Sequence, residues 1–164
     1  MIAGFNLTCV GDNNSTSYLP SRNSKTLADR VAVHTLNHLT NGYDEYSFLD
    51  RGSDERQYCS PGIDLPVCSV MRSKYGTYDE YHTSLDNLDF ISAKGLSKSY
   101  KIYKSMIAAI ESNLVYKANQ LCEPQLGKRG LYSNLSFKNS SLDSRVLLNI
   151  LSYTDGEADL LSIA

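Results

Sequence analysis

Three observations predict an α/β layer fold for this sequence. Residues 65–71 form a nearly unbroken apolar run, which suits a strand covered on both faces. Residues 25–39 and 93–113 carry apolar side chains at helical spacing. Strand-like and helix-like segments alternate along the chain, as they do where helices cover a sheet.

Taken in order, residues 2–10 predict a buried strand, entered without a turn or cap. Gly11, Asp12, Asn13, Asn14 and Ser15 then predict a loop by their turn chemistry. Leu27, Val31 and Leu39 set the apolar stripe of a helix over 25–39, which Asn41-Gly42 ends. Residues 46–49 are a short strand candidate, and 51–62 a polar loop closing on Pro61-Gly62. After the strong strand at 65–71, residues 73–87 predict a long polar and aromatic loop, a length more often functional than idle. Ser92 is placed to cap a helix over 93–113, striped by Leu96, Tyr100, Tyr103, Ile107 and Ile110.

The character then changes. Residues 1–120 are expected to be one α/β domain, 121–141 a linker with an Asn/Ser-rich end at 134–141, and 142–164 the start of a second region. Val146, Leu147, Ile150 and Leu151 stripe a helix over 142–153; Asp155-Gly156 is a turn, and 157–164 starts a short helix.

Composition bounds the function. With 41% hydrophobic and 21% charged residues over 164 positions, the chain is no disordered tail and can bury a core without staples. A net charge of −2 argues against nucleic-acid or anionic-membrane binding through bulk charge. No apolar run approaches a membrane span, and the first ten residues lack the basic region of a leader. The four cysteines, Cys9, Cys59, Cys68 and Cys122, show no C-x-x-C spacing. Free thiols in a reducing cytoplasm are the expected state. Tyrosine, at 12 residues against no tryptophan, suits half-buried positions where a hydroxyl finds a partner.

Several residues could carry chemistry. His34 and His38 share a helix face, but Thr35 stands where a metalloprotease helix needs Glu, so they read as an ordinary pair. His82 follows the loop after the strong strand. It is either a metal ligand oriented by nearby carboxylates, or a loop-packing histidine bonded to Asp86. The run from Asp50 to Tyr58 holds three carboxylates and two arginines, either a positioned acid or a salt-bridged surface loop. Asp12, just past the first strand, sits where α/β sheets place ligand groups; its alternative is a turn Asp bonded to its own backbone.

Together these motifs resemble a family. Ser53-Asp54 through Tyr58, then Gly62 to Val67 around Pro66, then His82-Thr83-Ser84-Leu85-Asp86-Asn87 keep one order and spacing. They resemble the later half of the co-catalytic zinc aminopeptidases. The runs from Asp50 to Gly62, Tyr81 to Asn87 and Leu121 to Tyr132 are closer still to the bacterial aminopeptidase-like proteins linked to polysaccharide biosynthesis. The likeness covers nearly the whole chain. It implies a partial three-layer α/β/α sheet domain followed by the beginning of a winged-helix-like region.

The resemblance also implies roles. His82 matches the last zinc ligand, Asp54 an acid of the active-site hydrogen-bond network, and Asp86 a residue that fixes the His-Thr loop. Two departures stand out: Glu55 replaces a His, and Thr8 stands where the family has a metal-binding Asp. Either Asp12, four positions on, takes over that role or the second zinc is absent. The family's remaining ligands and its general base lie upstream of the strand that opens this chain. The chain is therefore expected to be a piece cut at both ends. The leading expectation is part of a zinc-dependent hydrolase, inactive by itself, acting on an amide or peptide bond of a small peptide or amino-acyl substrate. Asp54, Glu55 and Asp86 are its catalytic candidates, and His82 and Asp12 its metal candidates. The alternative is a non-catalytic scaffold or interaction module. In the isolated piece, the sheet edge left uncovered by the missing first half is expected to invite self-association.

Overall fold

The computed structural model describes residues 1–130 and 140–164, with the side chains of 140–143 left aside. It divides into two units, Met1–Ile110 and Glu111–Ala164. In chain order the first unit holds β1 (Gly4–Asn6), β2 (Ser17–Leu19), α1 (Leu27–Leu39), β3 (Asp44–Glu45), α2 (Glu55–Tyr58), β4 (Val67–Met71) and most of α3 (Ala93–Ser112). The four strands form one sheet in the order β1-β4-β2-β3. β4 runs parallel to β1 and antiparallel to β2, and β2 runs parallel to β3.

The apolar run does become a strand buried along its whole length. Pro66 has no N–H to give, so the ladder starts one residue later, and the Pro66 carbonyl accepts from Gly4 N at 2.9 Å. Alternation assigns the two faces. Phe5 and Cys68, and Tyr18 and Val70, are cross-strand pairs on one face. α1 and α3 cover that face: Tyr18 bonds Asp29 of α1 at 2.9 Å, and Phe5 meets Tyr103 of α3 edge-on at 6.2 Å. Asn6, Ser69, Leu19 and Met71 point to the other face, against Glu55 of α2 and Tyr75. The result is three layers, a mixed α/β architecture.

Several expected elements shift. The strand expected over 2–10 pairs only over Gly4–Asn6, and Cys9 leaves the extended region at φ 48°. β2 and β3 were not foreseen; they are three and two residues long, too short to show a pattern. The strand expected at 46–49 is instead a 3-10 turn, Phe48–Asp50, because Ser47 and Asp50 cap each other reciprocally. α1 begins at Leu27 because Thr26 and Asp29 form the same kind of capping box. Ser92 does cap α3, accepting from Gly95 N at 2.9 Å.

The second unit holds β5 (Val115–Lys117), α4 (Ser140–Ser152), β6 (Asp155–Asp159) and α5 (Leu160–Ile163). β5 and β6 pair antiparallel with a bulge between Val115 and Lys117. The turn expected at 155–156 and the helix from 157 are thus replaced by a strand, and only the last turn is helical. Gly156 sits at φ 94°, a conformation that glycine allows, and an added Cβ there would lie 3.1 Å from Lys117 Cδ. The expected linker at 121–141 includes positions 131–139, outside the described residues. No helix among the described residues is long and apolar enough to cross a membrane.

Candidate functional site

β1 and β4 are parallel, so their carboxyl ends lie together, and the segments leaving them form the candidate site. Arg72 N, just past β4, donates to the Cys9 carbonyl at 2.8 Å and ties the two exits to each other. Asp12 is held between them. Its carboxylate accepts Ser73 N at 3.0 Å, Ser73 Oγ at 2.8 Å and Asn14 N at 2.9 Å, and it is buried. α3 closes over this loop at Gly95, where an added Cβ would lie 2.1 Å from the Gly11 carbonyl oxygen.

His82 stands apart from Asp12 in character. It is exposed, holds a left-handed backbone at φ 58°, and stacks on Tyr81 with ring centroids 4.0 Å apart. The aromatic chain continues through Tyr81 to Tyr78 at 5.8 Å and Tyr75 at 6.2 Å. The Tyr78 hydroxyl reaches the Cys9 sulfur at 3.3 Å, so the His82 loop is anchored to the β1 exit. Burial raises the Tyr78 hydroxyl well above the ordinary tyrosine value; the Cys9 contact and the charges of Asp86 and Asp12 add to it. Tyr78 therefore stays protonated and donates. Among the described bonds, Asp86 makes none with His82. Its backbone closes the turn, Asp86 N donating to the Thr83 carbonyl at 3.2 Å.

Glu55 is buried and fully engaged. One carboxylate oxygen accepts Tyr75 Oη at 2.6 Å and the N–H groups of Gly52 and Ser53, each at 2.9 Å. The other accepts Asn6 Nδ2 at 2.7 Å and Ser69 Oγ at 3.3 Å. Burial pushes its carboxyl up, but these donors outweigh burial and hold it below the ordinary glutamate value. A carboxylate with five donors and no solvent contact positions a loop; it has no free lone pair to take a proton from substrate. Its neighbour Asp54 is exposed at the start of α2 and makes no capping bond there.

The structure thus brings Cys9, Asp12, Tyr78 and the His82 loop together, and keeps Glu55 beneath them on the far end of Tyr75. Zinc is tested by the donors present. Among the described residues, no three His, Cys, Asp or Glu side chains group as metal ligands. Asp12 is committed to Ser73 and Asn14, leaving His82 as the open donor; these residues alone do not fit a zinc ion. The sequence reading passed over Asn6, Arg72 and the tyrosine chain. Tyrosines at 75, 78 and 81, three apart in a loop, were the available signal.

The comparisons with known proteins agree with this fold. Residues 1–113 match the family described as domain of unknown function DUF4910, and residues 114–164 match a winged helix-turn-helix family. A Clostridium acetobutylicum protein named for polysaccharide biosynthesis and an aminopeptidase-like domain is 42% identical over 163 residues. That match takes in 98% of this chain and 37% of the relative. A solved Clostridium acetobutylicum structure named as a peptidase superimposes at TM-score 0.87 with 40% identity, over 100% of this chain and 36% of that one. The chain therefore spans little more than a third of the length of the relatives it matches. It belongs to the DUF4910 domain family, over residues 1–113, and continues into a winged helix-turn-helix segment.

Proposed function

We propose that this chain supplies one part of a peptidase-like hydrolytic site that cleaves an amide or peptide bond in a small peptide or amino-acyl substrate. The observation that carries the reading is His82: an exposed imidazole in the loop that leaves the carboxyl end of a central strand, stacked on Tyr81. A zinc ion served by His82 takes its other donors from outside these 164 residues. Asp86 shapes the loop that presents His82. Asp54 stands exposed at the head of α2, free to enter the network around substrate. Glu55 acts as a positioning residue that holds the 52–55 turn, and Asp12 holds the two strand exits together. We place the protein in the cytoplasm on its four free thiols, and assign the winged segment to protein contacts, because neither it nor the whole chain carries the excess of positive charge that nucleic-acid binding uses.

A second reading, a non-catalytic scaffold, is favoured by one observation: Asp12 and Glu55 spend their oxygens on the protein itself. One experiment separates the two. The 163-residue segment of the Clostridium acetobutylicum relative is replaced by this chain, and the hybrid is assayed for hydrolysis of amino-acid amides with and without added zinc. Zinc-dependent turnover supports the hydrolytic reading; a folded hybrid without turnover, beside an active parent, supports the scaffold.

A further inference from the structure

The first unit holds an open cavity of about 720 Å³ that the proposed hydrolytic site does not use. Its charged lining is Arg72, Lys98, Lys101 and one carboxylate, Asp44. Cations outnumber anions there, in a chain whose net charge is −2. The lysines come from one face of α3, which repeats Lys94, Lys98, Lys101 and Lys104 at helical spacing, all exposed. Between Ala93 and Ser112 the one acid is Glu111.

Arg72 is the unusual member. Its residue is 4% exposed, yet its guanidinium bonds neutral acceptors: Nε to the Asp12 carbonyl at 3.0 Å and Nη1 to Thr16 Oγ1. The Asp12 carboxylate is close enough to be felt, but its oxygens are turned on Ser73 and Asn14. Among the described residues the ion pair is Arg22 with Asp64, on another part of the surface. A buried guanidinium is costly until an anion meets it. Arg72 lines the cavity and keeps Nη hydrogens beyond the one given to Thr16, and Lys98 and Lys101 add movable charge from the same lining. Asn14, Ser15 and Thr40 supply neutral hydrogen bonds around them.

We propose that this cavity binds a small phosphorylated ligand, a phosphate monoester, with its phosphoryl group on Arg72, Lys98 and Lys101. A doubly charged phosphoryl group matches the excess of cations better than a single carboxylate. The volume lies within the range of small-molecule sites and exceeds what a bare phosphate ion needs.

The test uses the full 164-residue chain at low salt, with calorimetric titration of glucose 6-phosphate, inorganic phosphate and glucose. Saturable one-to-one binding of glucose 6-phosphate, with glucose silent, is the expected result. Lys98→Glu/Lys101→Glu should weaken it by roughly tenfold or more, while Lys94→Glu/Lys104→Glu, off the cavity wall, should change it by less than about threefold. Arg72→Met should abolish it; if that variant does not fold, the two lysine pairs decide. No saturable binding at millimolar ligand overturns the proposal. So does an equal loss in both lysine pairs, which would mark a diffuse basic face instead of a site. Neither outcome depends on zinc or on hydrolysis, so this proposal can fail while the hydrolytic reading stands.

Discussion

The Tyr75 hydroxyl donates to the Glu55 carboxylate at 2.6 Å, and the same carboxylate oxygen collects the N–H groups of Gly52 and Ser53. With Gly52 N donating to the Tyr75 hydroxyl at 2.7 Å, this bond joins the turn before α2 to the segment that leaves β4. Tyr75 also begins the ring chain that ends at His82. The turn over the sheet and the loop that presents the imidazole therefore share a support. Tyr75→Phe removes a bond to a charged acceptor in a buried place and should cost about 1.5–3 kcal/mol in urea unfolding. A loss under about 0.5 kcal/mol would mean that the network is not stressed by the change.

The same carboxylate predicts an acid response. Glu55 is held below the ordinary value of 4.5, so its contribution is complete above pH 4.5. It is lost as pH falls below that value, when the folded carboxylate takes up a proton. Glu55→Gln should flatten the stability curve below pH 4.5 by up to about 1.4 kcal/mol per pH unit, and lower stability at pH 7. An unchanged acid limb in Glu55→Gln would assign the acid sensitivity elsewhere.

Asp29 is the one acid in α1, and several local contacts converge on it. It accepts Tyr18 Oη at 2.9 Å, Ser21 N at 2.8 Å and Thr26 N at 2.9 Å, and closes the capping box. Loss of the cap interaction alone costs about 1 kcal/mol, and the buried Tyr18 hydroxyl would lose its acceptor as well. Asp29→Ala should therefore cost about 3 kcal/mol or more, read by the thermal midpoint and by loss of helical signal.

Gly95 sets the approach of α3 to the Asp12 loop. A Cβ there would lie 2.1 Å from the Gly11 oxygen and 2.4 Å from the Asp12 oxygen, both backbone atoms that cannot swing aside. Alanine gains up to about 1 kcal/mol in helix propensity. The overlap costs about 1–3 kcal/mol or more, so the clash wins and Gly95→Ala should destabilise. A stabilised variant would show that α3 does not sit this close.

The thiols should react in order of access. Cys122 is exposed, whereas Cys59 and Cys68 are buried, and burial together with the Asp29 charge pushes the Cys68 thiol well up. Timed alkylation should label Cys122 first, and Cys68 on the order of a hundredfold more slowly, tracking unfolding.

What the sequence revealed follows from physical scale. The long helices and the apolar strand β4 were legible because burial writes a period over many residues. β2 and β3 were not, because two or three residues carry no period, and the pairing of β2 with β4 and of β3 with β2 is a tertiary event. The 3-10 turn at Phe48–Asp50 was misread because Tyr46, Phe48 and Leu49 look strand-like until Ser47 and Asp50 cap each other. At the site, His82 and the His-Thr-x-x-Asp loop could be found from motif order. The saturation of Asp12 by Ser73, 61 positions away, and of Glu55 by Asn6, 49 away, could not, since such contacts exist only once the sheet has formed.

The most direct measurement is zinc content and amide turnover in the hybrid of this chain with the rest of the Clostridium acetobutylicum relative, comparing the parent hybrid with His82→Ala and His82→Gln. Folding is checked by thermal melting of the zinc-free hybrids, where replacing the exposed His82 should leave the melt nearly unchanged. Loss of about one zinc equivalent, with turnover down by 100-fold or so in both variants, is the predicted result. Unchanged zinc content and turnover would contradict the account and remove His82 from the site.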